Sequence, residues 1–480
     1  MRIVIALLIF IGGWNMAAAQ VTLQQGEHAS VDNLSGVPAD GDNWFAEEIS
    51  GGLAGLVAPL EFAIGPAEFS SGDLIANSPS FLVNSTVSGN QIEPEVASLT
   101  SGEFLTVFID QSVAPLRSRG QFFASDGTPI GGEFTNASFP TSVVENKLVA
   151  LSGGGYVSAS VLPGTGVFVQ AISSSGALLG PSTILPVAGS SFDLVSLGSN
   201  QFLVVHELGA GELEASVFDA ATGLVSVYTA RTADGANILD VELDDDGAGG
   251  YRITWVEFDG ANDRIAHQAF NSSGVPGPRQ SLSLIAQRTN VTVLNNGNSV
   301  VAWTDTNDEL NFRFVDPAGT PLGSDTTVST DAFLSGSTTI GLDSLPDGGF
   351  VIAWSDDASG NPDILAQRFD ADGVAVGPAF TVNDITASTQ EAPALTTTDN
   401  GDVIIVYEDG SGTAPDTSAR GIQGRIFEAT TATSSWPTTS NAEALLQVDI
   451  RNGVLSRTLD DDDVGGSTGS TRCVSSQLTV

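Results

Sequence analysis

Short bursts of apolar residues punctuate this chain at intervals of about fifty: FLTVF from Phe104, YVSAS from Tyr156, FLVVH from Phe202, YRITW from Tyr251, SVVAW from Ser299, FVIAW from Phe350 and VIIVY from Val403. Most are apolar at odd and even positions alike, which describes a strand covered on both faces, not the half-exposed strand of a two-layer sandwich. In the clearest copy, LPDGGFVIAWSDDASGNPDILAQRFDADGVAVGPAFTVND from Leu345 to Asp384, the turns PDGG, DDASGNPD and DADG divide four strands. These are expected at roughly Thr338 to Leu342, Phe350 to Trp354, Ile364 to Phe369 and Ala379 to Val382. A second landmark, the glycine of the later turn, recurs at Gly127, Gly176, Gly223, Gly274, Gly319 and Gly373. Four short strands repeated at this period mark propeller blades. The expected fold is therefore all-β: a seven-bladed β-propeller of four-stranded antiparallel blades over residues 68–428.

The seventh copy stops after its third strand, Gly421 to Phe427, and runs into EATTATSSWPTTS without the glycine turn or a fourth strand. The missing piece stands at the other end of the repeats. In EFSSGDLIANSPSFLVN, Glu68 to Asn84, Phe69 aligns with Phe369, Gly72 with Gly373, Phe81 with Phe380, Val83 with Val382 and Asn84 with Asn383. An N-terminal strand near Ser78 to Asn84 is thus expected to pair beside Gly421 to Phe427, completing the last blade and covering an edge that would otherwise lie open.

Outside the ring, residues 1–19 combine Arg2, the apolar run IVIALLIFIGG and AAA before Gln20, the three-part pattern of a secretory signal peptide cleaved after Ala19. Residues 20–67 form an N-terminal extension. Residues 429–480 form a Ser/Thr-rich linker and tail, with one strand pair expected within Glu443 to Leu459. No second stretch is long and apolar enough to span a bilayer as a helix, so no integral span is expected once the signal is removed. The expected location is secreted or periplasmic. Cys473, the single cysteine, leaves no internal disulfide; it is either an intermolecular bridge or a plain thiol in the tail.

Charge narrows the partners. The chain carries 57 acidic and 16 basic residues, a formal net charge of -41, and Lys147 is its one lysine. Nucleic acid, which needs a basic footprint, is excluded as a partner. Acids gather after the second strands, notably Asp259, Asp263, Asp305, Asp308, Asp356, Asp357, Asp363 and Asp409. Equivalent loops of a propeller emerge on one face, so these residues are expected to form an acidic rim there. Such oxygen-rich loops suit calcium, which takes six to eight oxygen ligands. Their spacing differs from copy to copy and none has the EF-hand pattern, so a solvated rim with diffuse ion binding stands beside specific calcium sites.

Other chemistry is sparse. His28, His206 and His267 are scattered, and His206 occupies the slot that Trp255, Trp303 and Trp354 fill in later copies, which reads as packing. No G-x-S-x-G elbow marks a nucleophile. DAATG, Asp219 to Gly223, coincides with an ordinary turn between third and fourth strands. No catalytic or cofactor-binding residue is assigned, although paired carboxylates of the glycoside-hydrolase kind could stand in an axial channel.

The segments DGGFVIAW (Asp347 to Trp354), DILAQRFDADGVAVGPAFTVND (Asp363 to Asp384), TQEAPAL (Thr389 to Leu395) and VNSTVSGNQIEPEVASLTSGEF (Val83 to Phe104) resemble the repeats of large secreted bacterial proteins of the RTX-associated, adhesin-like kind. The resemblance implies a secreted propeller with an adhesive or recognition role. The chain lacks the G-G-x-G-x-D runs of RTX calcium sites, so the resemblance carries calcium binding to no residue here. Two functional classes follow: a non-enzymatic scaffold that recognises a surface protein or glycan through its loops, and a polysaccharide hydrolase or lyase with carboxylates in the axial channel.

Overall fold

The computed structural model describes residues 74–429, apart from loop positions 78, 100, 138–140, 187–190, 199, 233, 259–262, 284–285, 333–338, 414–415 and 418–419; toward the two ends of the chain it describes only the backbone of short strands. The chain divides into two compact units, one of residues Ala76–Ala429 and the other of Met1–Ile75 with Thr430–Val480. Of the expected signal peptide and extension only strand backbone is described. In the tail, Leu446–Arg451 pairs antiparallel with Val454–Leu459, where the strand pair was expected. No described helix is long and apolar enough to cross a membrane.

The larger unit is a seven-bladed propeller of four-stranded antiparallel sheets. Its first strands are Gln91–Ser98, Glu145–Ala150, Phe192–Gly198, Asn237–Asp245, Arg288–Val293, Gly341–Ser344 and Gln390–Thr397 in blades one to seven. Each touches the next around the ring, and the seventh touches the first. The second strands are the apolar bursts. Every residue of Phe104–Asp110, Phe350–Asp356 and Val403–Asp409 is buried, as two-sided covering requires. The core consequently lies between blades: Val157 and Val169 of blade two pack with Phe192, Phe202 and Phe218 of blade three, and Phe312 of blade five with Phe350 and Phe369 of blade six. In blade six the first strand is Gly341–Ser344, the third Asp363–Phe369, and the fourth begins at Ala375, four residues before the expected Ala379. The bulge between Ala366 and Arg368 admits this longer, exposed outer strand.

Closure occurs as the alignment anticipates. Phe81–Leu82 pairs antiparallel with Gly421–Ala429, Phe81 opposite Gly424 and Leu82 opposite Gln423. The Val83 N–H donates to the Ile422 carbonyl at 2.8 Å, and that of Asn77 to Ile426 at 2.9 Å. Leu74–Ala76 joins the same edge. The aligned asparagines do the same work in both places. The Asn84 amide accepts the Ile422 N–H at 2.7 Å and donates to Thr86 O at 2.9 Å and Gln91 Oε1 at 3.1 Å. Asn383 accepts the Ile364 N–H at 2.8 Å and donates to Ile385 O at 2.9 Å and Gln390 Oε1 at 3.5 Å. Neighbouring blades fasten the strand further: Asp384 accepts the Ser80 N–H at 2.6 Å, and Glu133 of blade one accepts those of Ser85 and Thr86 at 2.8 and 3.0 Å.

Phe81 also explains a glycine. Its ring lies on the Gly424 backbone, where a Cβ would stand 2.6 Å from the ring Cζ, and Phe134 lies on Gly120 in the same way in blade one. Gly424→Val should therefore destabilise the propeller by about 1–3 kcal/mol, the usual cost of overpacking. Phe81→Leu should recover part of that loss in a double-mutant cycle read by denaturant melts, and strict additivity would show that the two residues do not meet.

Candidate functional site

The seven first strands enclose the axis, and their splayed backbones leave N–H groups with no ladder partner from the next blade. Carboxylates fill that role. Asp193 of blade three accepts the Leu243 N–H of blade four at 2.7 Å. Asp240 and Asp244 of blade four accept those of Thr289 and Val293 in blade five at 2.9 and 2.6 Å. Asp343 of blade six accepts that of Thr397 in blade seven at 2.8 Å, and Glu408 of blade seven that of Glu93 in blade one at 2.9 Å. Each such bond joins two sheets that share no strand.

Inside this ring sits Lys147. Its Nζ lies 2.7 Å from Glu242 Oε1 of blade four and 3.9 Å from Glu95 Oε1 of blade one, with 14% of its side chain accessible. A blade-two side chain thus ties together two other blades. Burial works against the ammonium, but Glu242, Asp193, Glu95 and Glu145 outweigh it and hold Lys147 charged, well above its ordinary range. Burial pushes the carboxyls the other way: Glu95 rises to about 7 and Glu145 to about 8, opposed by Lys147 in both cases. Burial also raises Asp193, Asp240 and Glu242. One ammonium balances one carboxylate, and the 2.7 Å contact assigns that role to Glu242. Glu95 and Glu145 take up protons near neutral pH. This lysine–carboxylate layer was not visible in the sequence; the one signal was that the only lysine of the chain stands between Glu145 and the apolar end of a first strand.

The acids expected at the rim are placed differently from one another, and they do not converge. Asp305 is buried, its Oδ1 accepting the N–H groups of Asn307 and Glu309 at 2.8 and 3.0 Å. Asp308 follows in the same turn, with a left-handed φ of 62°. Asp356 accepts the indole N–H of Trp354 at 3.1 Å and the Ser329 hydroxyl at 2.9 Å. Asp357 donates its N–H to the Asp331 carbonyl at 3.1 Å. Asp363 accepts from Asn383 at 2.8 Å, and Asp409 from Gln390 at 2.9 Å and the Ser411 hydroxyl at 2.8 Å. Asp263 opens the third strand of blade four opposite Phe258, and Asp259 lies outside the described residues. Asp305, Asp356 and Asp409 are thus buried hydrogen-bond acceptors, not members of a solvated rim. Asp356 sits two residues after Trp354 and caps its indole, as Glu257 does for Trp255 at 2.9 Å. Among the described residues no group of three or more His, Cys, Asp or Glu side chains is placed to hold one metal ion.

Glu257 anchors the densest ion-pair cluster. Arg231 lies 3.0 Å from it, Arg279 is in direct contact, Arg264 is at 3.7 Å, and the Arg231 and Arg279 guanidinium groups stand 5.9 and 5.4 Å from the Trp255 ring centre. His206 and His267 are fully buried, and burial pulls them down to about 4 and about 3. Both are neutral packing residues, as the tryptophan slot of His206 suggested.

These groups set a pH profile. The carboxyls of Glu95, Glu145 and Asp343, the last raised by burial to about 6, hold protons more tightly folded than unfolded. Their contribution is complete below the unfolded carboxylate range and is withdrawn as pH climbs through about 6 to 8. The histidines act oppositely, because below their unfolded value of about 6.5 the unfolded chain binds protons that the folded chain refuses. Three raised carboxyls outweigh two histidines above the unfolded carboxyl range, so thermal melts from pH 4 to 10 at fixed ionic strength should be highest near about pH 5 and fall as pH rises to 8, by roughly 5 °C or more at pH 9. A plateau from pH 6 to 9 would contradict the protonated state assigned to Glu95 and Glu145.

No family model matches the chain, and no curated protein is similar to it. Solved structures are similar in fold. A protein of unknown function from Dyadobacter fermentans is 14% identical, over 75% of this chain and 100% of that one, with a TM-score of 0.48. The BP39L lectin of Burkholderia pseudomallei is 13% identical over 70% and 98%, with a TM-score of 0.48. The NanB sialidase of Streptococcus pneumoniae is 10% identical over 73% and 71%, with a TM-score of 0.43. Likeness at this level concerns the fold and says nothing of ligand or chemistry.

Proposed function

We propose that this protein is a secreted, non-enzymatic scaffold that recognises a surface protein or glycan through the loops of its propeller, in the adhesin-like manner its repeats resemble. The observation that carries this reading is the position of Lys147. Its ammonium pairs with Glu242 in the axial layer, which takes out of use one of the two carboxyls that a glycosidase acting there would need. Asp193, Asp240, Asp244 and Asp343 of the first strands are engaged by backbone N–H groups of neighbouring blades, and the acids Asp305, Asp356 and Asp409 by turns, hydroxyls, amides and an indole. Recognition then falls to the loop surfaces, which a rigid ring presents in fixed register. The net charge of -41 favours partners that are neutral or basic and works against nucleic acid.

The test is to pass the purified mature protein over glycan arrays and immobilised surface proteins, and to incubate it with polysaccharides in parallel. Saturable binding without release of reducing or unsaturated ends is the expected result. Release that is abolished by Glu95→Gln would replace the scaffold by the hydrolase or lyase reading.

A further inference from the structure

The seam between blades four and five is built from smaller and more polar side chains than its neighbours. At the start of the second strand and opposite it in the third, four blades stack two rings: Phe104 on Phe123, Phe202 on Phe218, Tyr251 on Phe270 and Phe350 on Phe369, with centres 4.7–5.0 Å apart. Blades two and seven keep one ring, in Tyr156 opposite Ile172 and in Phe427 opposite Val403. Blade five keeps none and sets Ser299 opposite Val315. The blade that faces it is reduced at the matching places. Phe312 and Phe314 of blade five lie 5.2 and 6.0 Å from Phe350 of blade six, whereas the same register positions of blade four hold His267, opposite Thr254, and Ala269, opposite Arg252. Arg252, which stands where blade five has Val300, is one longer side chain set against the loss of these rings.

Strand alternation turns the polar side chains into this seam. Tyr251, Ile253 and Trp255 pack toward blade three, and Val256 packs with Val301 and Trp303 of blade five. Arg252, Thr254 and His267 therefore face blade five, and Ser299, in phase with Val301 and Trp303, faces blade four. Thr254, His267 and Ser299 are fully buried, and Arg252 is 5% exposed. Yet both ring nitrogens of His267, the hydroxyls of Thr254 and Ser299 and the Nε of Arg252 have no hydrogen-bond partner among the described residues. We infer that blades four and five enclose a buried hydration site in which water is held by His267, Thr254 and Ser299. Lost ring volume supplies the room, and converging donors and acceptors select the occupant, since roomy polar cavities hold water whereas dry ones are apolar. A neutral imidazole offers one N–H and one acceptor, and each hydroxyl offers both, so water can satisfy all three side chains. No unbalanced charge asks for an ion in its place: Arg252 lies 3.2 Å from Asp246, and burial keeps His267 neutral.

Three measurements on the mature protein test this. A high-resolution crystal structure is expected to show water within hydrogen-bond distance of a His267 ring nitrogen and of the Thr254 or Ser299 hydroxyl. A seam in which those atoms meet only protein atoms would overturn the proposal. Thr254→Val keeps the shape of the side chain and deletes its hydroxyl, so it should lower the melting temperature if that hydroxyl is bonded to water. A rise would mean that an orphaned hydroxyl had been removed from a dry seam, and would also overturn it. Ser299→Phe with His267→Phe copies Phe350 and Phe312 of the next seam. Water relaxation dispersion, which counts molecules held inside for longer than the protein takes to tumble, should then show at least one fewer than in the wild type, with cooperative melting retained. An undiminished count, or a variant too overpacked to melt cooperatively, would show that the seam has no such water to displace.

Discussion

A chain lacking residues 74–84 loses the cooperative unfolding of the whole ring. That segment supplies the last strand of blade seven, and its removal strips the edge of Gly421–Ala429 and uncovers Ile422 and Ile426, which pack with Phe104 and Phe123 of blade one. About five backbone hydrogen bonds at ~1 kcal/mol each are lost. Removing Phe81, which packs against Phe123 with ring centres 5.3 Å apart, costs ~1.5–3 kcal/mol more. The total approaches the ~5–15 kcal/mol that holds a typical domain together. The consequence reaches past one blade, because each blade is packed between two others and an opened ring exposes a hydrophobic face on both sides of the gap. Calorimetry should show a broad, low-enthalpy transition or none, with dye binding to exposed apolar surface before heating. A deletion variant with the same sharp transition as the intact chain would mean that the seventh blade closes without this strand.

The second large effect is expected at Lys147. Lys147→Met keeps most of the stem's volume and removes the ammonium that balances Glu242. Breaking one side of a buried ion pair costs about 3–5 kcal/mol when the survivor cannot escape. Here the survivor can take up a proton, so about 3 kcal/mol at pH 8 is the expected loss, shrinking as pH falls and Glu242 becomes neutral. Lys147→Met combined with Glu242→Gln should recover most of it at pH 8, since the charge that needed a partner is gone. Denaturant melts of the single and double variants at pH 5.5 and 8 check both statements. A penalty that is equal at the two pH values would assign Lys147 a packing role only.

These two sites differ in how far they can be read from the residues. Closure was legible because it rests on local alignment. The pair VN, with Q seven residues after the asparagine, occurs at Asn84 and Gln91 and again at Asn383 and Gln390, and each asparagine performs the same capping of a third strand. The second strands were legible because covering on both faces removes polar alternation. The axial layer was not. Lys147 and Glu242 stand 95 positions apart, and nothing short of the ring's curvature brings blade two against blade four. The loop acids misled for a related reason. A carboxylate after an apolar strand reads as exposed, yet at Asp356 and Glu257 it turns back to accept the indole of a tryptophan two residues earlier. The outer strand of blade six was misplaced by four residues at its start because bulges decouple outer strands from the period of the inner ones.

The most direct measurement of the ring is a covalent one. Leu82 and Gln423 stand opposite each other across the closing pair, and both are partly accessible. With Leu82→Cys and Gln423→Cys introduced into a Cys473→Ser background, a disulfide should form within the monomer under mild oxidation and raise the melting temperature reversibly on reduction. Native protein whose two thiols stay free, or that crosslinks only between molecules, would contradict a propeller whose seventh blade is completed by the strand that precedes the first.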